Sequence, residues 1–306
     1  MGWIVYAQMS QPFNIGDIAI TIPVLNQLSF TQNCLDSLNR AGVADAQITV
    51  VNNGSTDGTR QFLDSRPKLH TIHNDSNLGC GGAWNQGCQR VAAAWTVVLN
   101  NDVLIPPGCL EGLRRFVEEE NIDIASPAMR EGACDYDWQA YAAEFMRKMK
   151  PARRIRVAHG VCFMVRRRVF ETIGYFDDDP RLGGYEDDEF FRRATRANFR
   201  LAMTGGAFLH HFGSMTQKSM KSQQVMANVF DRRAYYRKKT GQTWINRKVT
   251  SMRNNLRDQW WRRSEKIRFG RTLKESRWEN RQETDPSSRS AAWSPSQPRL
   301  DLPPES

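Results

Sequence analysis

Four short apolar, β-branched runs, separated by helical patterns and each closed by polar residues, constrain this chain more than any other feature. Residues 18–25 (IAITIPVL) and 48–52 (ITVVN) read as strands, and the spacing of Leu28, Cys34, Leu35 and Leu38 places a helix between them. The turn-rich NGSTDGT leads to a helix from Thr59 to about Ser65 and then a strand at His70 to His73. Trp84, Cys88 and Val91 share one side of a further helix, and VVLNND reads as a buried strand that ends in polar residues. Such alternation predicts an α/β fold: a parallel sheet with helices on both faces.

Ligands of open parallel sheets bind beyond the carboxyl ends of the strands, where the connecting loops converge. The polar clusters fall there: Pro23 and Asn26 after the first strand, Asn52 to Asp57 after the second, Asn74 to Asn77 after the third, Asn100 to Asp102 after the fourth. Four separate loops therefore face one crevice. The second of them can meet a nucleotide base or ribose through its backbone amides and Asn or Asp oxygens, or serve as an ordinary Asx-rich turn. Asp102, at the end of a buried strand, suits a hard cation such as Mg²⁺ or Mn²⁺, or else caps the turn that leads to Pro106 and Pro107.

The second half, from Val103 to His211, is less regular. It holds a strand-like stretch from Ile155 to Val165 interrupted by Gly160, the acidic run Glu186, Asp187, Asp188 and Glu189, and a strand at Phe199 to Met203 leading to His210 and His211. Carboxylates at a helix start usually complement the helix dipole, yet one of the four can act as a general base toward a hydroxyl. An imidazole at the end of the last strand can complete a metal site.

Charge divides the chain. Residues 1–230 carry 24 basic and 24 acidic side chains, whereas residues 231–306 carry 19 and 9, so the whole excess of +10 sits in the last quarter. A pI of 9.5 is therefore a property of the C-terminal segment and does not mark the entire molecule as a nucleic-acid binder. Trp244, Trp260, Trp261, Trp278 and Trp293 are interleaved there with Arg and Lys, which suits either nucleic-acid bases or an anionic lipid interface. The six cysteines form no C-x-x-C pair, and no apolar run approaches the 18 residues of a membrane span, so reduced thiols and a cytoplasmic protein, peripheral at most to the inner face of a membrane, are expected. The segments expected are an N-terminal extension over 1–17, a catalytic unit over 18–215 divided near 102, a helical region over 216–250, and a basic, partly disordered tail over 251–306.

IAITIPVLNQ, VVNNGSTDGT, NDSNLGCGGAWNQG, LNNDV, GVCFMVRRRVFETIGYFDD, YEDDEFFRRATRANFR and LHHFGSMT stand in the order, and at roughly the spacing, of family-2 glycosyltransferases with the GT-A fold. The chain resembles their rhamnosyltransferase-like subgroup over residues 18–216. The resemblance implies that Pro23, Asn26, Asn52, Asn53, Ser55, Asp57, Asn77, Gly79, Asn85 and Asn101 bind the nucleotide sugar. Asn52 stands where many members have an aspartate that contacts the base, which leaves the base open. Asp102, the last carboxylate of the D-x-D equivalent, and His211 are implied metal ligands for Mg²⁺ or Mn²⁺, with His210 one residue out of register. Asp187 is the implied catalytic base and Glu186 its neighbour toward the acceptor, while Asp188 and Glu189 are weaker candidates.

What the resemblance implies is an inverting hexosyl- or deoxyhexosyltransferase. It would use a nucleoside-diphosphate sugar and act on an acceptor hydroxyl of a cell-surface or lipid-linked glycan, as in polysaccharide biosynthesis. Two alternatives rest on residues 231–306: transfer to a modified base of a nucleic acid, and a non-catalytic protein that binds nucleic acid or an anionic membrane surface.

Overall fold

The computed structural model describes residues 17–90, 93–213, 229–241 and 243–276. The expected order is present from the first strand onward: β1 (Ile18–Val24), α1 (Leu28–Arg40), β2 (Ile48–Asn53), α2 (Thr59–Asp64), β3 (His70–Asn74), α3 (Gly79–Arg90) and β4 (Trp95–Leu99). Residues 1–16 and Val91 lie outside the described residues. β2 and β4 are buried along their whole length and β1 everywhere except Pro23, as strands covered on both faces are; they are mostly apolar, with Thr21, Thr49, Asn52, Asn53 and Thr96 the buried polar exceptions. β1 runs parallel to both β2 and β4, and β2 parallel to β3.

Beyond Val103 the chain forms β5 (Val103–Leu104), α4 (Cys109–Glu119), β6 (Ile124–Glu131), α5 (Trp138–Met149), β7 (Arg153–Ile155), β8 (Cys162–Arg166), α6 (Arg167–Ile173), α7 (Glu186–Arg196) and β9 (Leu201–His211). The strand order is β3-β2-β1-β4-β8-β6-β9-β5. The parallel sheet expected of the first half is present from β3 to β4, and the less regular second half extends it with mixed strands: β8 is antiparallel to β4 and β6, and β5 and β7 are antiparallel to β9. The stretch from Ile155 to Val165 is two strand ends parted by a loop, with Arg156 in the left-handed region at φ 63°. β9 is longer than expected, eleven residues, and bends around Gly205, where a Cβ would sit 2.2 Å from the Met149 carbonyl oxygen. The core on either side of the sheet is aliphatic and aromatic, and each fully buried Leu or Ile in it stabilises the fold by about 1.5–3 kcal/mol.

The C-terminal segment departs most from expectation. The helical region and the disordered tail were to meet near residue 250, but α8 (Val229–Thr240) is followed by one long helix, α9 (Trp244–Phe269), that runs through that point. Thr243 starts it by accepting from the Asn246 amide, and Gly270 ends it at φ 73°. The chain then adds a tenth strand, β10 (Lys274–Ser276), parallel to β6. Arg154 on β7 ties this segment down: its guanidinium, almost fully buried, donates twice to Glu265 at 2.7 and 2.8 Å and once to Asp258 at 2.8 Å, with its carbon 5.4 Å from the Trp261 ring centroid. Glu265 also accepts from the Leu273 amide at 2.9 Å, so the same carboxylate sets the start of β10. Among the described residues no helix is long and apolar enough to cross a membrane.

Candidate active site

The loops after β1, β2 and β3 are bound to one another. Asn26, left-handed at φ 56°, donates its amide to Ser55 Oγ at 2.7 Å and accepts the Thr56 amide on its Oδ1 at 2.7 Å. Asp57 accepts from the amides of Leu28 and Thr59. Asn52 accepts from the Ser55 amide and pairs with His73, whose other nitrogen lies 3.0 Å from Asp64. Asn53, buried, donates to Asn77 Oδ1 and the Gly79 carbonyl, and accepts from Asn74 and the Leu78 amide. Asn85 clasps both the amide and the carbonyl of Phe176 at 2.9 Å, and Asn101 donates to Thr31 Oγ1 at 3.0 Å. These side chains spend their bonds shaping the rim. Pro23, half-buried near the carboxyl end of β1, lies on the same rim.

Asp102 and His211 are brought together by the pairing of β5 with β9, in which Val103 opposes His211. The Phe212 amide donates to the Asp102 carbonyl at 3.0 Å, and His211 Nε2 lies 3.5 Å from Asp102 Oδ1. The other imidazole nitrogen is 4.0 Å from a carboxylate oxygen of Glu131, a residue the sequence reading did not single out. A carboxylate oxygen and an imidazole nitrogen at this separation fit two positions of one divalent cation, and a second carboxylate behind the imidazole is how metal-bound histidines are commonly held. Among the described residues no group of three His, Cys, Asp or Glu side chains is placed to hold a metal ion. His210 points to the other side of β9, 2.9 Å from the Tyr136 hydroxyl, and burial above all holds it down to about 3.

The acidic run opens α7. Glu186 is buried and accepts the Gly184 amide at 2.6 Å; Glu189 pairs with Arg193 at 2.8 Å, which leaves it a structural ion pair; Asp188 is exposed. Partial desolvation raises the Asp188 carboxyl, and Asp187 shows the same effect with a larger shift. Burial first, then the Asp188 carboxylate, push its carboxyl up to about 7, with Glu186 adding to the push. Its carboxyl packs on Gly160, where a Cβ would come within 2.1 Å of Asp187 Oδ2. Gly160→Ala therefore displaces that carboxyl by its own bulk, and an acid or base moved by an ångström costs up to about 10²-fold. We expect a ten- to hundredfold drop in turnover with an unchanged melting temperature, checked by steady-state kinetics and calorimetry; full activity would show that the Asp187 position is immaterial.

The two halves meet around Cys80 at the start of α3, on which the charges of Asp102, Glu186 and Asp187 all bear. Sequence reasoning missed two further residues of this region. Leu273, just before β10, and Glu275 within it face α5, Glu275 bonding the Tyr141 hydroxyl, so strand alternation sends Lys274 to the opposite face, where its register partner Met129 lies two residues before Glu131. Burial lowers its ammonium pKa, with Arg154 pushing the same way, while Asp258 and Asp187 act to hold its charge. His159, beside Gly160, is buried with Nε2 on the Pro127 carbonyl at 2.8 Å and is held down to about 3, chiefly by burial. The strand-breaking glycine was a signal for His159; for Lys274, the first residue of a three-residue strand, the sequence offers none.

Comparison with known proteins agrees with this arrangement. Residues 19–174, half of the chain, match the family model "Glycosyl transferase family 2". The chain is 25% identical over 202 residues to "Uncharacterized glycosyltransferase EpsJ" of Bacillus subtilis, covering 61% of this chain and 58% of that one. It is 29% identical over 172 residues to "Low-salt glycan biosynthesis hexosyltransferase Agl10" of Haloferax volcanii, covering 51% and 55%. The match thus spans little more than half the length of either relative. Among solved structures, S. aureus TarS 1–349 in complex with UDP-GlcNAc superposes at a TM-score of 0.50 with 18% identity over 64% of this chain and 60% of that one. GalNAc-T7 with UDP, GalNAc and Mn²⁺ does so at 0.51 with 15% identity over 63% and 42%. These two likenesses show the fold, the GT-A arrangement of a nucleotide-side sheet extended by antiparallel strands. With half of its length matched by the family model, the chain belongs to glycosyl transferase family 2.

Proposed function

We propose that this protein is an inverting, divalent-metal-dependent transferase that moves a hexosyl or deoxyhexosyl group from a nucleoside-diphosphate sugar to a hydroxyl of a glycan or lipid-linked acceptor. The observation that carries the reading is that Asp187, a carboxyl with a raised pKa, and Asp102, which lies 3.5 Å from His211, both bear by their charge on the same Cys80. The carboxylate of Asp187 takes the acceptor proton as the acceptor oxygen bonds to the anomeric carbon. The bond from that carbon to the diphosphate oxygen breaks on the opposite face, and the nucleoside diphosphate leaves with the electron pair. Glu186, tied to the Gly184 amide, keeps the first turn of α7 in place, and Lys274 supplies positive charge beside the base.

Asp102 and His211 would hold the cation, which when bound neutralises charge on the leaving diphosphate. An imidazole ligand favours Mn²⁺ over Mg²⁺, which prefers oxygen. The amide-rich rim, from Asn26 to Asn85 and on to Asn101, would receive the nucleotide, and a rhamnosyl-type donor is the first to try. The names of the relatives, a glycan-biosynthesis hexosyltransferase among them, and a neighbour bound to UDP-GlcNAc support this class of donor. Of the aromatic faces that the nucleic-acid alternative calls on, Trp261 is half-buried against Arg154 and Trp260 is exposed. Trp278 and Trp293 lie outside the described residues.

The test is a donor panel: purified protein with Mn²⁺ or Mg²⁺ and UDP-, dTDP- and GDP-sugars, following release of the nucleoside diphosphate. Release from one donor, faster with Mn²⁺ and abolished by a chelator, is the expected result. Neither release nor thermal stabilisation with any donor would sink the proposal.

A further inference from the structure

α9 has two faces. One holds the body of the protein through Asp258, Trp261, Glu265 and Phe269. The other carries Val249, Met252, Leu256, Trp260 and Ile267, exposed to 47, 61, 60, 65 and 76%. These five follow one another by steps of three, four, four and seven residues, which confines them to about 80° of the helix circumference, opposite the attached face. A sequence scan of the region misses this stripe because arginines and asparagines fill the positions between. Single exposed apolar residues are ordinary; five in one row on a 26-residue helix are not.

The flanks of the row are rich in cations, interspersed with Gln259, Thr250 and Ser264. Arg253, Arg257 and Arg268 line one side, and Lys248, Arg263 and Lys266 line the other or stand within the row, all exposed. The only acids of the helix, Asp258 and Glu265, are turned inward and engaged by Arg154. A central apolar row with Trp and Leu, bordered by cations and free of acids, matches an anionic lipid surface: the row enters the acyl boundary while the guanidinium and ammonium groups meet phosphates. A second copy of the same face would bring the two cationic borders together, and a nucleic acid would leave the row of Val, Met, Leu and Ile in water.

The geometry points to α9 as a helix that lies flat on an anionic membrane, its outward row inserted at the headgroup level. This deepens the proposed function in one respect. The inward face of α9 adjoins the region of Arg154 and Lys274, so a membrane beneath the outward face would lie about one helix thickness, roughly 10 Å, from the wall of the crevice. An acceptor carried on a lipid would then be presented at the site.

Flotation of the full chain with vesicles of about three parts phosphatidylcholine to one part phosphatidylglycerol tests this directly. Wild type is expected to float with these vesicles and not with pure phosphatidylcholine. Leu256→Gln/Trp260→Gln is expected to partition at least about tenfold less at any salt concentration, and Arg253→Gln/Arg257→Gln/Arg263→Gln at least about tenfold less at low salt. Donor-derived diphosphate release without vesicles should be equal in all three proteins, so failure of the membrane proposal is distinct from failure of the transferase reading. Equal flotation of wild type and both variants would overturn the proposal. So would absence of flotation, dimers that the Leu256→Gln/Trp260→Gln variant splits, or salt-sensitive retention on DNA or RNA with no vesicle binding.

Discussion

Asp187→Asn is expected to lower kcat by about 10²–10⁴-fold while donor affinity stays within about twofold of wild type, because the substitution removes proton acceptance and nothing that holds the nucleotide. Equal loss of donor affinity would count against the role. The pH profile gives an independent reading. Burial and the Asp188 and Glu186 carboxylates raise the Asp187 pKa to about 7, so the active anion is lost as pH falls through that value, and kcat/KM should decline on the acidic side of about pH 7. Lys274, the cation on that face, opposes the shift, so Lys274→Met should move the same limb to higher pH. An unmoved limb would confine Lys274 to a structural part.

Stability follows with the opposite sign. A carboxyl whose folded pKa is raised from 3.8 stabilises the fold, relative to the same group ionised, at pH below that unfolded value, and this contribution is lost as pH rises through about 7. The ionised Asp187 is thus a burden at pH 8. Asp187→Asn should melt higher than wild type at pH 8, by up to about 2–4 kcal/mol in the metal-free protein, with the difference gone below about pH 4. An inactive variant that is more stable is not what a merely structural aspartate produces.

Asp102→Ala is the second large effect. Removing a charge aimed at the leaving group typically costs about 10²–10³-fold in kcat, and here the concentration of Mn²⁺ needed for half-maximal rate should rise with it. The backbone bond from the Phe212 amide to the Asp102 carbonyl survives the substitution, so β5 and β9 should stay paired and the melting temperature should change little. Chelator-treated wild type should match the variant. If the treated wild type keeps its full rate while Asp102→Ala loses it, Asp102 acts on something other than a cation.

Much of this molecule was legible in its residues. Burial on both faces leaves β1, β2 and β4 mostly apolar, a pattern visible without partners, and the polar residues at and after their ends marked the strand ends and loops that carry Asn26, Asn53 and Asp102. The GT-A fold came from the order of seven motifs. Strand character was legible from Ile155 to Val165, where most of β8 and the end of β7 lie, but the two-residue β5 and the antiparallel direction of all three were not, since direction depends on which strand each one meets. The C-terminal segment was least legible of all. Its charge looked like a solvated tail because its attachment is an ion cluster, and hydrophobic periodicity does not register Arg154, Asp258 and Glu265 finding one another across more than a hundred residues.

The same division applies to the site. Residue type and order along the chain determined that carboxylates, amides and a histidine would stand at strand ends and at a helix start. Only the tertiary structure decided that Asp187, and to a smaller extent Asp188, carry raised pKa values while Glu189 is held in an ion pair, since that depends on burial and on which neighbour, Arg193 or another carboxylate, lies beside each. Tertiary packing likewise placed Glu131 behind His211 and set Lys274 on the crevice face, because through-space distance and strand register, unlike residue type, do not exist until the chain has closed on itself.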